Sequence, residues 1–188
     1  MDSLSPERVS PLLRGRLGRP YRYVESCRST QRELGAEDAE GTVVAAGHQT
    51  AGRGRLGRTW EDAPGTSLLF SLLLTPRVDA ERLPELTILA AEAVAETVGG
   101  DVKSPNDVLL EGRKVAGVLG EASEGRVVLG IGVNANQTAA QLPAETRLPA
   151  TSLRLAREAS VDRAELLAAI LAALERRYEV WLKRAAST

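Results

Sequence analysis

Three short apolar runs, at 108–110, 114–121 and 126–134, follow one another with only short glycine-bearing gaps between them. A parallel pairing needs a crossover of a dozen or more residues, so gaps this short force an antiparallel meander. Gly112-Arg113 and Glu124-Gly125 have the spacing of hairpin turns. Strands grouped in this way, with helical stripes outside them, predict an α+β fold rather than a doubly wound parallel sheet.

The remaining pattern fills in that frame. A short helix is expected over 6–17, a strand over 21–25, and a helix over 30–34 with Ser29 as its N-cap. Further strands are expected at 42–46 and 67–74. The stripe of Leu86, Leu89, Ala90, Ala93, Val94 and Val98 predicts a helix over 83–98, ended by Gly99-Gly100. After a loop at 136–149, helices are expected over 151–159 and 161–185, the second capped by Asp162. Aromatic residues make up only 3% of the chain, so Ala, Leu and Val must fill the core. The 188 residues suit one domain, 1–188.

Composition narrows the function classes. The net charge of −1 argues against a bulk nucleic-acid binder or a polybasic membrane anchor. Asp2, Glu7 and Arg8 do not suit a signal peptide, and no apolar stretch is long enough to span a bilayer. A single cysteine, Cys27, allows no disulfide within the chain, which fits a reducing cytoplasm.

Residues 49–65 hold four glycines, one proline and no apolar period. At this length an undecorated loop in a compact domain is usually functional. Its centre is Gly52-Arg53-Gly54-Arg55-Leu56-Gly57-Arg58-Thr59-Trp60. Glycine permits positive φ and close approach to a ligand, while arginine offers a fixed fork of donors for phosphate or carboxylate. The segment is therefore read as a mobile anion-binding lid. It is not a P-loop, because G-x-x-x-x-G-K-[ST] is absent. An exposed RNA-binding loop using Arg53, Arg55 and Arg58 stays open on spacing alone.

Three further stretches carry chemistry. In Lys103-Ser104-Pro105-Asn106-Asp107, a carboxylate of the kind that Mg²⁺ takes stands at the head of an apolar strand, although Pro-Asn-Asp also makes simple turns. Lys114 sits one residue into a buried-looking strand, three residues before Gly117. Gly130 and Gly132 weaken a strand interior and mark close approach of a ligand or another backbone.

In this order, Ser29-Thr30-Gln31, His48-Gln49-Thr50, the Gly-Arg loop, Lys103-x-Pro-Asn-Asp107, Lys114-x-Ala-Gly117 and Gly130-x-Gly-x-Asn134 resemble the catalytic domain of bacterial biotin–protein ligases. The resemblance runs from Ser29 to Asn136 and continues more weakly through 150–153 into the last helix. It implies a mixed sheet flanked by helices, shared with lipoate ligases. It also implies activation of biotin with Mg²⁺-ATP to biotinyl-5′-AMP, then transfer to a lysine of a biotin carboxyl carrier protein.

By position, Ser29, Thr30, Gln31, Gln49, Arg53, Gly54, Arg55, Lys114 and Gly117 would bind biotin. Arg55, Arg58, Trp60, Asn106, Asp107 and Asn134 would bind ATP or the adenylate, with Asp107 also facing magnesium. Lys114, Arg55 and Asp107 would be catalytic, Asp107 accepting the proton of the attacking amine. Homodimers occur in the family, so a homodimer is one expected assembly. The family's motif has tryptophan where Ser104 stands. A DNA-binding segment before the catalytic part and a β-barrel after it are not expected here, and neither are DNA or membrane partners.

The implied chemistry suits the composition. A biotin carboxylate is ionised at pH 7 and needs no base to attack phosphorus, so His48 is expected to be structural or solvent-facing. The obstacle is crowding of negative charge, eased by lysine, arginine and Mg²⁺. A lipoate or octanoyl transferase of the same fold, lacking the Gly-Arg loop, and a degenerate biotin binder remain the enzyme-class alternatives.

Overall fold

The computed structural model describes residues 3–144 and 147–185. Seven strands form one mixed sheet: β1 (Tyr21–Val24), β2 (Val43–Ala46), β5 (Leu68–Leu74), β9 (Arg126–Val133), β8 (Arg113–Ser123), β7 (Asp107–Leu110) and β6 (Asp101–Lys103), in that spatial order. Only β1 and β2 pair in parallel. The meander β7–β8–β9 is antiparallel throughout, as its short gaps required. A separate two-stranded hairpin, β3 (Gly52–Arg53) with β4 (Thr59–Trp60), stands off the sheet.

Helices cover one face. α2 (Glu85–Val98) lies against β6, β7, β8 and β9, and α4 (Arg163–Ala185) packs on α2. β5 alternates its residues strictly. Leu68, Phe70, Leu72 and Leu74 enter the core beneath the helices. Leu69 and Ser71 point to the opposite face, and the same alternation on β9 places Gly130 and Gly132 beside them. One apolar cluster runs from Leu4 to Trp181.

α4 is anchored by polar contacts at its outer rows. Asp162 Oδ1 accepts hydrogen bonds from the amides of Ala164 and Glu165, the N-cap role read from the sequence. Trp181 stacks on Tyr178 and donates its indole N–H to Glu85, with the Arg82 guanidinium over its ring. Tyr178 donates its hydroxyl to Glu40 at 2.7 Å.

Several boundaries differ from the sequence reading. The first helix stops early: α1 spans Pro6–Val9, a 3₁₀ turn follows over Ser10–Leu12, and Leu13 is extended. Pro11 lacks the N–H that would continue the α-helix. Leu13 and Leu17 are still buried. The expected helix at 151–159 is only α3 (Leu153–Arg157), capped by the Ser152 hydroxyl and ended by Glu158 at positive φ. Ser29 stands at the N-cap of a 3₁₀ turn, Thr30–Glu33, but its side chain makes no capping bond. The first meander turn is Glu111-Gly112, one residue earlier than read, because Arg113 already pairs with Leu110. β6 was missed because Asp101-Val102-Lys103 is a short edge strand with one apolar residue, too little to register as a period.

Two outcomes are expected from this packing. Trp181→Ala should lower stability by about 3–5 kcal/mol, whereas Trp181→Phe, which keeps the stack and loses the bond to Glu85, should cost about 1 kcal/mol; urea unfolding measures both. Burial first, and then the hydrogen bond to Glu40, pushes the Tyr178 phenol far above its ordinary value. The unfolded chain ionises this tyrosine from about pH 10 while the folded one keeps its proton. Stability should therefore be fully present below about pH 10 and fall above it. Tyr178→Phe should make that alkaline fall shallower in unfolding curves taken across pH 9–11 (about one unit each side of the ordinary tyrosine value).

Candidate active site

The sheet face away from the helices is nearly bare at its centre. Pairing aligns Leu69, Gly132, Gly117 and Asp107 in one row across β5, β9, β8 and β7, and Ser71, Gly130 and Leu119 in the next. Three glycines thus make a floor without side chains. Other residues lie on it. A Cβ at Gly132 would come within 2.6 Å of the Trp60 ring, and one at Gly130 within 2.8 Å of the Gln31 amide carbon. Real Cβ contacts do not reach that close, so the glycines permit the approach that the sequence signalled.

Lys114 reaches this floor through a β-bulge. Val108 pairs with Ala116 but Leu109 pairs with Lys114, so Val115 is an extra residue. The bulge shifts the alternation and turns Lys114 to the same face as Gly117, where its Nζ lies 2.7 Å from Asp107 Oδ1. The ammonium also stands 5.5 Å from the centroid of the Trp60 ring. Asp107 is 7% exposed, and Arg147 approaches its second oxygen at 3.8 Å.

The expected loop is more ordered than an undecorated one. β3 and β4 close it into a hairpin, tipped by a 3₁₀ turn with Leu56 at φ 59° and 83% exposed. Gly52 is required where it stands, since a Cβ there would lie 2.5 Å from the Trp60 carbonyl oxygen. Two of the three arginines are held by polar partners, while Arg58 is exposed. Arg55 donates to Asn106 Oδ1 at 3.3 Å, and Arg53 forms a bidentate pair with Glu121 on β8. Asn106 in turn donates to the Val118 carbonyl at 2.9 Å.

A buried polar corner closes the far end. Thr30 donates its amide to Gln49 Oε1 at 2.7 Å, and its hydroxyl shares a 2.7 Å bond with Ser71. That pairing accounts for a serine in the middle of an otherwise apolar β5. Gln31 donates to the Leu119 carbonyl at 3.2 Å. Ser29, free of any capping duty, lines the cavity beside them.

All these elements enclose one cavity of about 730 Å³, a size that suits a small ligand together with a nucleotide. Its walls include Ser29, Thr30, Gln31, Gln49, Arg53, Gly54, Arg55, Arg58, Trp60, Asn106, Asp107, Lys114, Gly117 and Asn134, so every residue singled out in the sequence for binding or catalysis reaches one space. Asn134 is the most committed of them: its amide donates to the Thr151 carbonyl and its oxygen accepts from Gln137, which holds the following loop in place. Ser104 and Pro105 line the cavity too, as the hairpin turn between β6 and β7. The segment 103–107 is therefore the simple turn that its sequence allowed, and four of its residues also line the cavity. Glu121, Arg147 and Ser71 were missed. Nothing in their local pattern marks them, because their partners lie far along the chain.

Other chemistries find less support here. Burial, reinforced by the charges of Glu33 and Asp62, pushes the Cys27 thiol up to about 11, which disfavours a thiolate nucleophile at neutral pH. Among the described residues no group of three or more His, Cys, Asp or Glu side chains could hold a metal ion, and Asp107 already faces two cations. No helix among the described residues is long and apolar enough to cross a membrane.

Comparison with known proteins places this geometry. The bifunctional ligase/repressor BirA of Bacillus spizizenii is 40% identical over 171 residues, covering 85% of this chain and 53% of that protein. The biotin–[acetyl-CoA-carboxylase] ligase of Mycobacterium tuberculosis is 35% identical over 160 residues, covering 80% and 59%. The chain thus spans little more than half the length of these relatives. The structure of the biotin protein ligase from Aquifex aeolicus in complex with biotin and ATP superposes with a TM-score of 0.75 at 33% identity, over 87% of this chain and 72% of that one. Residues 23–137, more than half of the sequence, match the biotin/lipoate A/B protein ligase family, and the chain belongs to that family.

Proposed function

We propose that this chain is a biotin–protein ligase that joins biotin to ATP as biotinyl-5′-AMP and passes the biotinyl group to a lysine of a biotin carboxyl carrier protein. One observation carries the reading: Arg55 and Lys114, from the lid and from the bulged strand, converge on the adjacent residues Asn106 and Asp107 at one wall of a single cavity. The polar corner of Thr30 and Gln49 lies in the same cavity and suits a neutral ureido ring.

The chemistry follows from that placement. In the first step a biotin carboxylate oxygen attacks the α-phosphorus and the bond to the β-phosphate breaks, releasing pyrophosphate. Lys114 and Arg55 offset the negative charge gathered between two anions, in a site shielded from water. Magnesium enters as part of Mg²⁺-ATP, held by phosphate oxygens and water rather than by a protein cage. The lid then keeps water from the mixed anhydride. In the second step the lysine amine attacks the acyl carbon, AMP leaves with the bridging oxygen, and the amine proton passes to Asp107. The reading carries with it a cytoplasmic reaction, where ATP is available and Cys27 stays reduced.

The first step is tested by exchange of labelled pyrophosphate into ATP. Wild-type protein should catalyse exchange only when biotin is present, and Arg55→Ala and Lys114→Ala should each slow it by about 10²–10³. A wild-type protein with no biotin-dependent exchange overturns the assignment. The second step is read separately, from preformed biotinyl-AMP to a carrier domain. There Asp107→Ala should slow transfer by about 10² or more, and an undiminished rate would remove Asp107 as the proton acceptor.

A further inference from the structure

The lid, 49–61, has a neck, and the neck holds a pair that the proposed chemistry does not use. His48 directly precedes Gln49, and Asp62 follows Trp60 by two residues. His48 Nδ1 lies 2.9 Å from Asp62 Oδ2. The Asp62 side chain is fully buried, while the imidazole keeps 30% of its surface in solvent. Asp62 Oδ1 is buried with no hydrogen-bond partner among the described residues. A buried carboxylate is costly to keep unless it is hydrogen-bonded, so a single contact holds Asp62 inside.

The backbone around the pair is tied at the same level. Gly65 donates to the Gly47 carbonyl at 3.0 Å, and Cys27 donates to the His48 carbonyl at 3.1 Å. The pair therefore joins the two strands of chain by which the lid enters and leaves. We infer that His48, through Asp62, is the positioning residue of the lid: it fixes Gln49 at one end and Trp60 at the other in their cavity positions. Without its hydrogen bond, Asp62 turns toward water and draws the β4 end with it. The glycine floor then loses the ring that lies on it, and the arginine tip gains freedom. His48 touches no reacting atom in this account.

The kinetic part of the test rests on the ligase reading, and a second part does not. In biotin-dependent pyrophosphate exchange, His48→Ala should raise KM for biotin about tenfold while kcat stays within about twofold. His48→Asn, whose amide nitrogen can reach the same Asp62 oxygen, should stay close to wild type. Limited trypsin digestion without substrate should cut after the lid arginines faster in His48→Ala than in wild type or His48→Asn. Equal trypsin rates in all three proteins overturn the inference, as does a His48→Asn protein impaired as much as His48→Ala. His48→Ala decides because it alters only the partly exposed member of the pair and leaves the buried Asp62 in place. A wild type that exchanges nothing overturns the ligase reading, while the digestion result still decides the role of His48.

Discussion

The site depends on a place where the sheet carries no side chains. Gly117, Gly130 and Gly132 leave two adjacent strands bare on the face away from the helices. Trp60 can lie flat there, Gln31 can cross beside it, and a cavity of ligand size stays open above. The strands themselves are held in place because their other face is filled by Val118, Leu129 and Ile131 under α2. One face supplies stability by apolar burial and the other supplies room. Period-two alternation is what lets one strand do both.

The charged groups follow the same economy. A chain with a net charge of −1 gathers arginines into one short segment, then turns two of the three onto partners on the sheet side, Glu121 and Asn106. Asp107 stands nearly buried between Lys114 and Arg147, and Asn106 spans from the lid to the β8 backbone. The cations are thus held in fixed directions by protein partners.

The parts written in local pattern were legible in the sequence. The meander, the Asp162 cap, the stripe of α2 and the Gly-Arg segment each follow from spacing within a dozen residues, and each lies within a residue or two of where it was read. What escaped depends on distant partners or on a break in period. The bulge at Val115 cannot be seen in an apolar run, yet it decides which face Lys114 takes. β6 is too short and too polar to register. Glu121 and Ser71 look like ordinary strand residues until Arg53 and Thr30 fold against them. His48 was expected to be structural or exposed. It is partly both, and the buried Asp62 that gives it a task carries no mark of burial in sequence. The family was more legible than fold detail, because the residues that mark it cluster in motifs while packing does not.

A recess made of missing side chains can be altered in one direction only. Any replacement at Gly117, Gly130 or Gly132 adds atoms, so the floor can be raised but never lowered. Variation there can only shrink the range of molecules admitted. Widening it has to come from the movable walls, the hairpin over the mouth and the turn at Ser104-Pro105. Descendants of this chain would thus change their ligand at the rim, while the strands beneath stay as they are.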